Sequence, residues 1–360
     1  MALPGVPATA AGSFRYVRRV PSFVTATVTE ILSERDGLQR VATDAGRAYV
    51  LTRLVGTVAA GDPVVLNTTA VELGLGTGGW HVVHWNLARR AWSQPGPGHI
   101  MKLRYTSLQS DTGAAEEDWP DLPEALDGMP VVACSLHSQV GVVAAVVRHL
   151  RPAARITYVM TDGAALPLAL SDLVHALRTR DIVDTTVTAG NAFGGDLEAV
   201  SMPSGLALAH HVAGADLAVV GMGPGVVGTA SGLGTTAVEA AAVVDAAHSL
   251  GARVALCCRA SAVDSRERHR GVSHHVHTVL RLAAHRPEVP LPAALAPQVA
   301  GATVVEGPDA ADVLKALDVV VTSMGRGPAD DPSFFAAATS AGAWAAEALE
   351  DVDRPRTPGR

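Results

Sequence analysis

Beyond Met129 the chain repeats one pattern. Apolar stretches at 130–134, 156–160, 184–189, 216–221, 253–258, 302–305 and 318–322 alternate with segments of helical period. Strands that are apolar throughout, rather than at every second position, are buried on both faces. Strand–helix alternation of this kind specifies a mainly parallel sheet covered by helices on both sides. The end signals agree. Thr236 with Glu239 three residues later fits a capping box, and Gly251 stops the Ala-rich helix that follows. Ser273 caps a helix over His274–Ala284, and Pro332 takes the first position of the last helix. We therefore expect a Rossmann-like α/β domain over residues 130–350 and a charged, frayed tail over 351–360.

The preceding part reads differently. Thr25 to Ile31 alternates, the turn Asp44-Ala45-Gly46 separates two strand-like runs, and Val64 to Val71 follows Gly61-Asp62-Pro63. Trp80 to Trp85 and His99 to Thr106 add further strands. Short strands punctuated by turn residues predict a small all-β, barrel-like domain over 21–110. Residues 111–129 are acidic and Pro-rich and read as a linker; residues 1–20 read as a loose arm.

Composition narrows the function classes. Aromatic residues are only 4% of the 360, so Ala, Val and Leu must fill the core. The net charge of −7 disfavours nucleic acid or an anionic membrane as partner. No apolar run reaches the roughly 18 residues of a bilayer span, and the N-terminus lacks a signal-peptide pattern. Three cysteines, Cys134, Cys257 and Cys258, give no disulfide framework, and a cytoplasmic protein is expected. A mean hydropathy of +0.23 and the Ala-rich helices fit a homo-oligomer.

In an open α/β sheet, ligands bind outside the carboxyl ends of the strands. Here those ends lead into His137, then Asp162, then Asn191, Asp196 and Glu198, then the loop Gly221–Gly234, and then Asp264–His277. All are polar or Gly-rich, as required where backbone amides approach a ligand closely.

The glycine loops differ in meaning. Gly74-Leu-Gly76-Thr-Gly78-Gly79 has dinucleotide spelling but precedes a strand, so it reads as a turn. Gly223, Gly225 and Gly228 do follow a strand. Their helix is delayed to about Thr235, and no acidic residue ends the next strand at the usual distance. That favours a looser anion cradle, with plain tight turns as the alternative.

Asp264–His277 is the most chemical stretch. Arg266, Arg268 and Arg270 suit paired contacts to an anion. His269 joins Asp162 and Glu198 as an acid/base candidate. His137, His274, His275 and His277 with Asp264 are candidate metal ligands, though no zinc-ligand spacing is present. Cys134 precedes His137 by three residues, yet an apolar strand cysteine is the commoner case. Trp80, Trp85 and Trp92 read as packing in the β domain.

Several of these segments carry a resemblance. Gly37–Val41, Asn67–Gly79, Gly98–Thr106, Val159–Pro167, Gly194–Val200 and Arg266–His275 resemble a bacterial family, of the kind found in GC-rich actinobacteria, known as a domain of unknown function. The resemblance runs from about Ser22 to Ser323. It implies relatives, and no activity, cofactor or catalytic residue comes with it.

Three functions fit these residues. One is an enzyme or binding protein for a small anionic metabolite, phosphorylated ones included, in a cleft at the strand ends. Another is a metal-dependent hydrolase using the His/Asp cluster. The third is a sensor or scaffold without turnover.

Overall fold

The computed structural model describes residues 21–75 and 78–349, so the arm, the tail and Gly76 lie outside the described residues. The chain divides into two compact units, one ending at Trp92 and the other beginning at Ser93.

In the first unit, β1 (Phe23–Arg35), β2 (Leu38–Thr43), β3 (Gly46–Leu51), β4 (Pro63–Asn67) and β5 (His81–Asn86) close a barrel in the order β1-β2-β3-β5-β4. Every pairing is antiparallel except β3 with β5. Closure leaves no unpaired strand edge. Alternation does the sorting: Ala26 and Val28, Ala48 and Val50, and Val64 and Leu66 point inward and are buried. Outside, Trp80 stacks on Tyr49 at 4.9 Å, with the Arg47 guanidinium 4.6 Å from the indole. The segment expected to add a strand at 99–106 does not join the barrel. Met101–Lys102 pairs with Ser110–Asp111 as a separate ribbon of the second unit.

The second unit is built on a six-stranded parallel sheet. Its strands are β6 (Pro130–Cys134), β7 (Ile156–Thr161), β8 (Thr185–Ala189), β9 (Leu197–Ala199), β10 (Leu217–Met222) and β11 (Arg253–Cys257), in the order β9-β8-β7-β10-β6-β11. Numbered within the sheet this is 4-3-2-5-1-6, which differs from the 3-2-1-4-5-6 of a dinucleotide-binding sheet. Two expected strands are absent from the sheet. Thr303–Val304 pairs only with Pro290–Leu291. Val319–Thr322 makes no ladder; Val319 and Val321 are buried as apolar packing and Val320 faces out. Edge strand β9 has no apolar run to announce it, because Glu198 occupies its centre.

The helices segregate by the direction the chain travels. α1 (His137–Leu150) and α2 (Asp172–Thr179) carry it from β6 toward β8. α3 (Met202–His211) and α4 (Glu239–Ser249) carry it back from β9 to β11. Right-handed crossovers must place these pairs on opposite faces, and two separate cores result. One joins α1, α2, α6 (Ala310–Ala316) and α7 (Pro332–Ala348); the other joins α3, α4 and α5 (His274–Leu282). Small residues replace aromatics by allowing close approach. A side chain at Gly342 of α7 would come within 2.7 Å of Val146 on α1. The expected capping box at Thr236 does not form. Thr235 caps the turn ahead of α4, and Thr236 instead accepts from the Val227 amide.

Candidate functional site

The opposed crossovers fix where a ligand can sit. The chain leaves β6 toward one face and the neighbouring strand β10 toward the other, so their carboxyl ends part and leave a crevice. A cleft of about 700 Å³ opens there, within the roughly 300–1,000 Å³ of small-molecule sites. One wall is the start of α1 with His137. A second is the loop Pro224–Thr229, and a third carries Arg259, Arg266, Arg268, His269 and His275. Leu173, Val226 and Val321 supply apolar surface.

His137 is held at both ring nitrogens. Nδ1 donates to the Met222 carbonyl (3.1 Å), which leaves Nε2 to accept from the Ser171 hydroxyl at 2.7 Å. Ser171 in turn caps α2 through the Val174 amide. The buried Tyr158 hydroxyl bonds the Gly221 carbonyl at 3.0 Å and steadies the same strand end. Burial pushes the His137 imidazole down to about 4, so it is neutral at physiological pH. Beneath it, Gln139 accepts from the Leu136 amide and donates to the Cys257 carbonyl, tying α1 to the end of β11.

The basic wall is organised by a carboxylate. Asp264 is buried and accepts from Arg266 at 2.8 Å and Arg259 at 3.3 Å. The Arg266 hydrogen bonds hold its carboxyl well below the ordinary range. One carboxylate thus faces Arg259 and Arg266, with exposed Arg268 beside them. Burial and the Arg266 charge lower the Arg259 guanidinium, as expected where cations outnumber the carboxylate beside them. Asp264 orients these guanidiniums from below and does not line the cleft. Arg270 also lies outside, donating to the Asp264 carbonyl at 3.0 Å.

The glycines divide in the same way. Gly225, with φ of +100°, and Gly228 line the cleft. Gly223 does not; an added Cβ would lie 2.4 Å from the Ala165 carbonyl, so its role is to let the 162–165 loop pass.

The histidines of α5 and its approach converge. His269, His274 and His275 place one ring nitrogen each within 4.8 Å of the others. His269 Nδ1 bonds the Ser273 hydroxyl at 2.7 Å. His274 Nε2 and both nitrogens of buried His275 have no hydrogen-bond partner. Burial pushes His269 to about 3 and His275 to about 4, with the nearby arginines adding repulsion, and His274 also shifts down. His277, one turn along from His274, is exposed and is not among the converging rings.

The remaining polar candidates sit apart from the cleft, after β7, after β8 and along the edge strand β9. Glu198 accepts from Lys102 at 2.7 Å, from the Thr188 hydroxyl at 2.7 Å and from the Gly194 amide at 2.6 Å. Asp162 accepts from the Asn191 amide at 2.9 Å, and Asn191 Oδ1 accepts from the Leu103 amide. Asp196 accepts from Thr186 and Arg178. None of these side chains lines the cleft. Cys134 is buried in β6.

Sequence reading did not single out Arg259, Ser171 or Lys102. Arg259 follows an apolar strand end with no motif, and Ser171 meets His137 only through the fold. Lys102 carried one hint: it is one of only two lysines.

Fold and site together define an α/β protein with a basic, histidine-lined cleft at the switch point of a parallel sheet. The chain belongs to the family described as proteins of unknown function (DUF3866), whose model matches residues 47–342. No curated protein and no solved structure matches it. Among the described residues no helix is long and apolar enough to cross a membrane.

Proposed function

We propose that the cleft between the ends of β6 and β10 binds a small anionic metabolite, phosphorylated or carboxylated, as an enzyme or binding protein for it. The observation that carries this reading is the charge imbalance of one wall. Arg259 and Arg266 share a single buried carboxylate, Asp264, and Arg268 lines the same wall outside that pairing. An anion would neutralise the excess, and guanidiniums suit phosphate and carboxylate oxygens geometrically. The backbone around Gly225 and Gly228 also lines the cleft, within reach of a bound anion. His137 adds an imidazole at the same strand end. This is the Rossmann-like use of a sheet edge without a dinucleotide fingerprint.

Isothermal titration with inorganic phosphate and a panel of phosphorylated and carboxylated metabolites tests it. At least one should bind stoichiometrically, and Arg268→Ala should weaken it roughly 10-fold or more. Arg268 is exposed, so its loss should not unfold the chain. Affinity untouched by Arg268→Ala would overturn the reading.

A further inference from the structure

An imidazole buried with both nitrogens unpartnered is costly, since each unmet polar atom loses its water hydrogen bonds without replacement. His275 is in that position at 4% exposure. His274 Nε2 beside it is also unmet, and the ring centroids of the two are 4.4 Å apart. The His269 ring completes the group, 4.9 Å from His275 and 5.0 Å from His274. Three like side chains, each able to become a cation, pack here against Arg259 and Arg266. Hydrogen bonding within the protein does not account for that arrangement.

We propose that His269, His274 and His275 are a three-imidazole site for a divalent transition cation, with zinc the best match, open toward the cleft. Three neutral histidines are a recurrent catalytic zinc set that leaves a fourth position free. A tetrahedral ion at ~2.0–2.1 Å from each nitrogen spaces its donors about 3.4 Å apart. Donors already within 4.8 Å of one another reach that spacing by small ring rotations. Ser273 supplies the outer support: with the proton on His269 Nδ1, the ring donates to Ser273 Oγ and leaves Nε2 to ligate. The Ser273 hydroxyl also accepts from the His275 amide, so one side chain positions two ligands.

The ligand set differs from the one the sequence suggests. His137 has both nitrogens engaged, His277 faces solvent, and Asp264 is occupied by two guanidiniums. With no carboxylate among the ligands, the bound ion keeps its full double charge. His269 and His275 line the cleft, so the open position faces the same space as the arginines. An anion there would meet the metal and the guanidiniums together. The metal site stands on the imidazoles alone and shares only its location with the proposed anion site.

The test uses the full chain, stripped with a chelator and titrated with zinc, and with cobalt to read the coordination geometry. One ion per chain is expected, with the intense visible bands of a four-coordinate cobalt site. His274→Ala, at a half-buried position, should weaken zinc binding by more than about 100-fold. His277→Ala, one turn away and exposed, should leave it unchanged. Circular dichroism checks that both variants fold; if His274→Ala does not, Ser273→Ala should still weaken zinc by roughly 10-fold or more. Failure of the wild-type chain to bind zinc or cobalt stoichiometrically overturns the proposal, as does an equal loss in His277→Ala. Phosphate titration of the stripped protein reports on the anion site separately, so either proposal can fail without the other.

Discussion

The Lys102 ammonium lies 2.7 Å from Glu198 Oε2, with the lysine only 2% exposed. It also donates to the carbonyls of Thr188 and Ala192, so its three protons are all used. Burial lowers the lysine and the Glu198 charge opposes that shift. The pair fastens the Met101–Lys102 ribbon to the end of β8.

Removing one partner of such a pair strands the other. Lys102→Met should cost roughly 3–5 kcal/mol in urea unfolding. Adding Glu198→Gln, which keeps an acceptor for Thr188 and Gly194, should recover part of that loss. Losses that simply add in the double variant would mean the two groups are not coupled. Anion affinity of the cleft should not change in either.

His137 sets a pH dependence. Its folded value of about 4 lies below the ordinary 6.5, so the unfolded chain takes up a proton first on acidification. The His137 contribution to stability should therefore be flat above pH 6.5, fall as pH drops, and level off near pH 4. At pH 5 this one group should account for about 2 kcal/mol. Denaturation of wild type and His137→Gln at pH 7 and 5 isolates it, because the variant loses that part of the slope. A wild-type–variant difference that does not change with pH would contradict the assignment.

Asp264 should lose stabilisation on acidification too, but in a lower pH window. Its carboxyl is held down chiefly by Arg266, so its stabilising charge is present above the ordinary carboxylate value and lost only on stronger acidification. Asp264→Asn leaves buried Arg259 without a charge partner and should cost roughly 3 kcal/mol or more. That cost should be the same at pH 7 and pH 5 by chemical denaturation. A cost that shrinks markedly at pH 5 would show that the carboxylate is not so held.

Gly223 and Gly327 separate close approach from composition. Gly223→Ala drives a methyl into the Ala165 carbonyl at 2.4 Å and should destabilise by roughly 1–3 kcal/mol. Gly327→Ala, whose nearest contact is 3.7 Å away, should be within about 0.5 kcal/mol of wild type in the same assay. Equal effects would show that the Gly223 contact does not constrain the loop.

Much of the architecture was legible because it rests on local patterning. Apolar or β-branched runs marked β6, β7, β8, β10 and β11, and alternation marked the barrel strands. Capping by Ser273 and the stop at Gly251 followed from side-chain chemistry within a few residues. Val319–Thr322 shows where patterning runs out: an apolar run specifies burial, and a ladder also needs a partner with a free edge. β9 is the reverse case, a strand made by its neighbour β8 despite Glu198 at its centre.

The site was legible in its ingredients. Polar loops at the strand ends, the Arg266–Arg268 pair and the histidines near Ser273 are readable because each is contiguous in the chain. Their division was not. The strand order brings β10 beside β6, and that alone decides that His137, Gly225, Arg259, Arg268 and His275 share a cleft. The same order puts Asp162, Asn191 and Glu198 at other strands, where Lys102 and neighbouring amides take up their oxygens. Sequence by itself determined which segments are strands and helices and which loops are polar, because those depend on neighbours a few residues away. Only the tertiary structure decided which polar groups meet, because that depends on the order of strands distant in the chain.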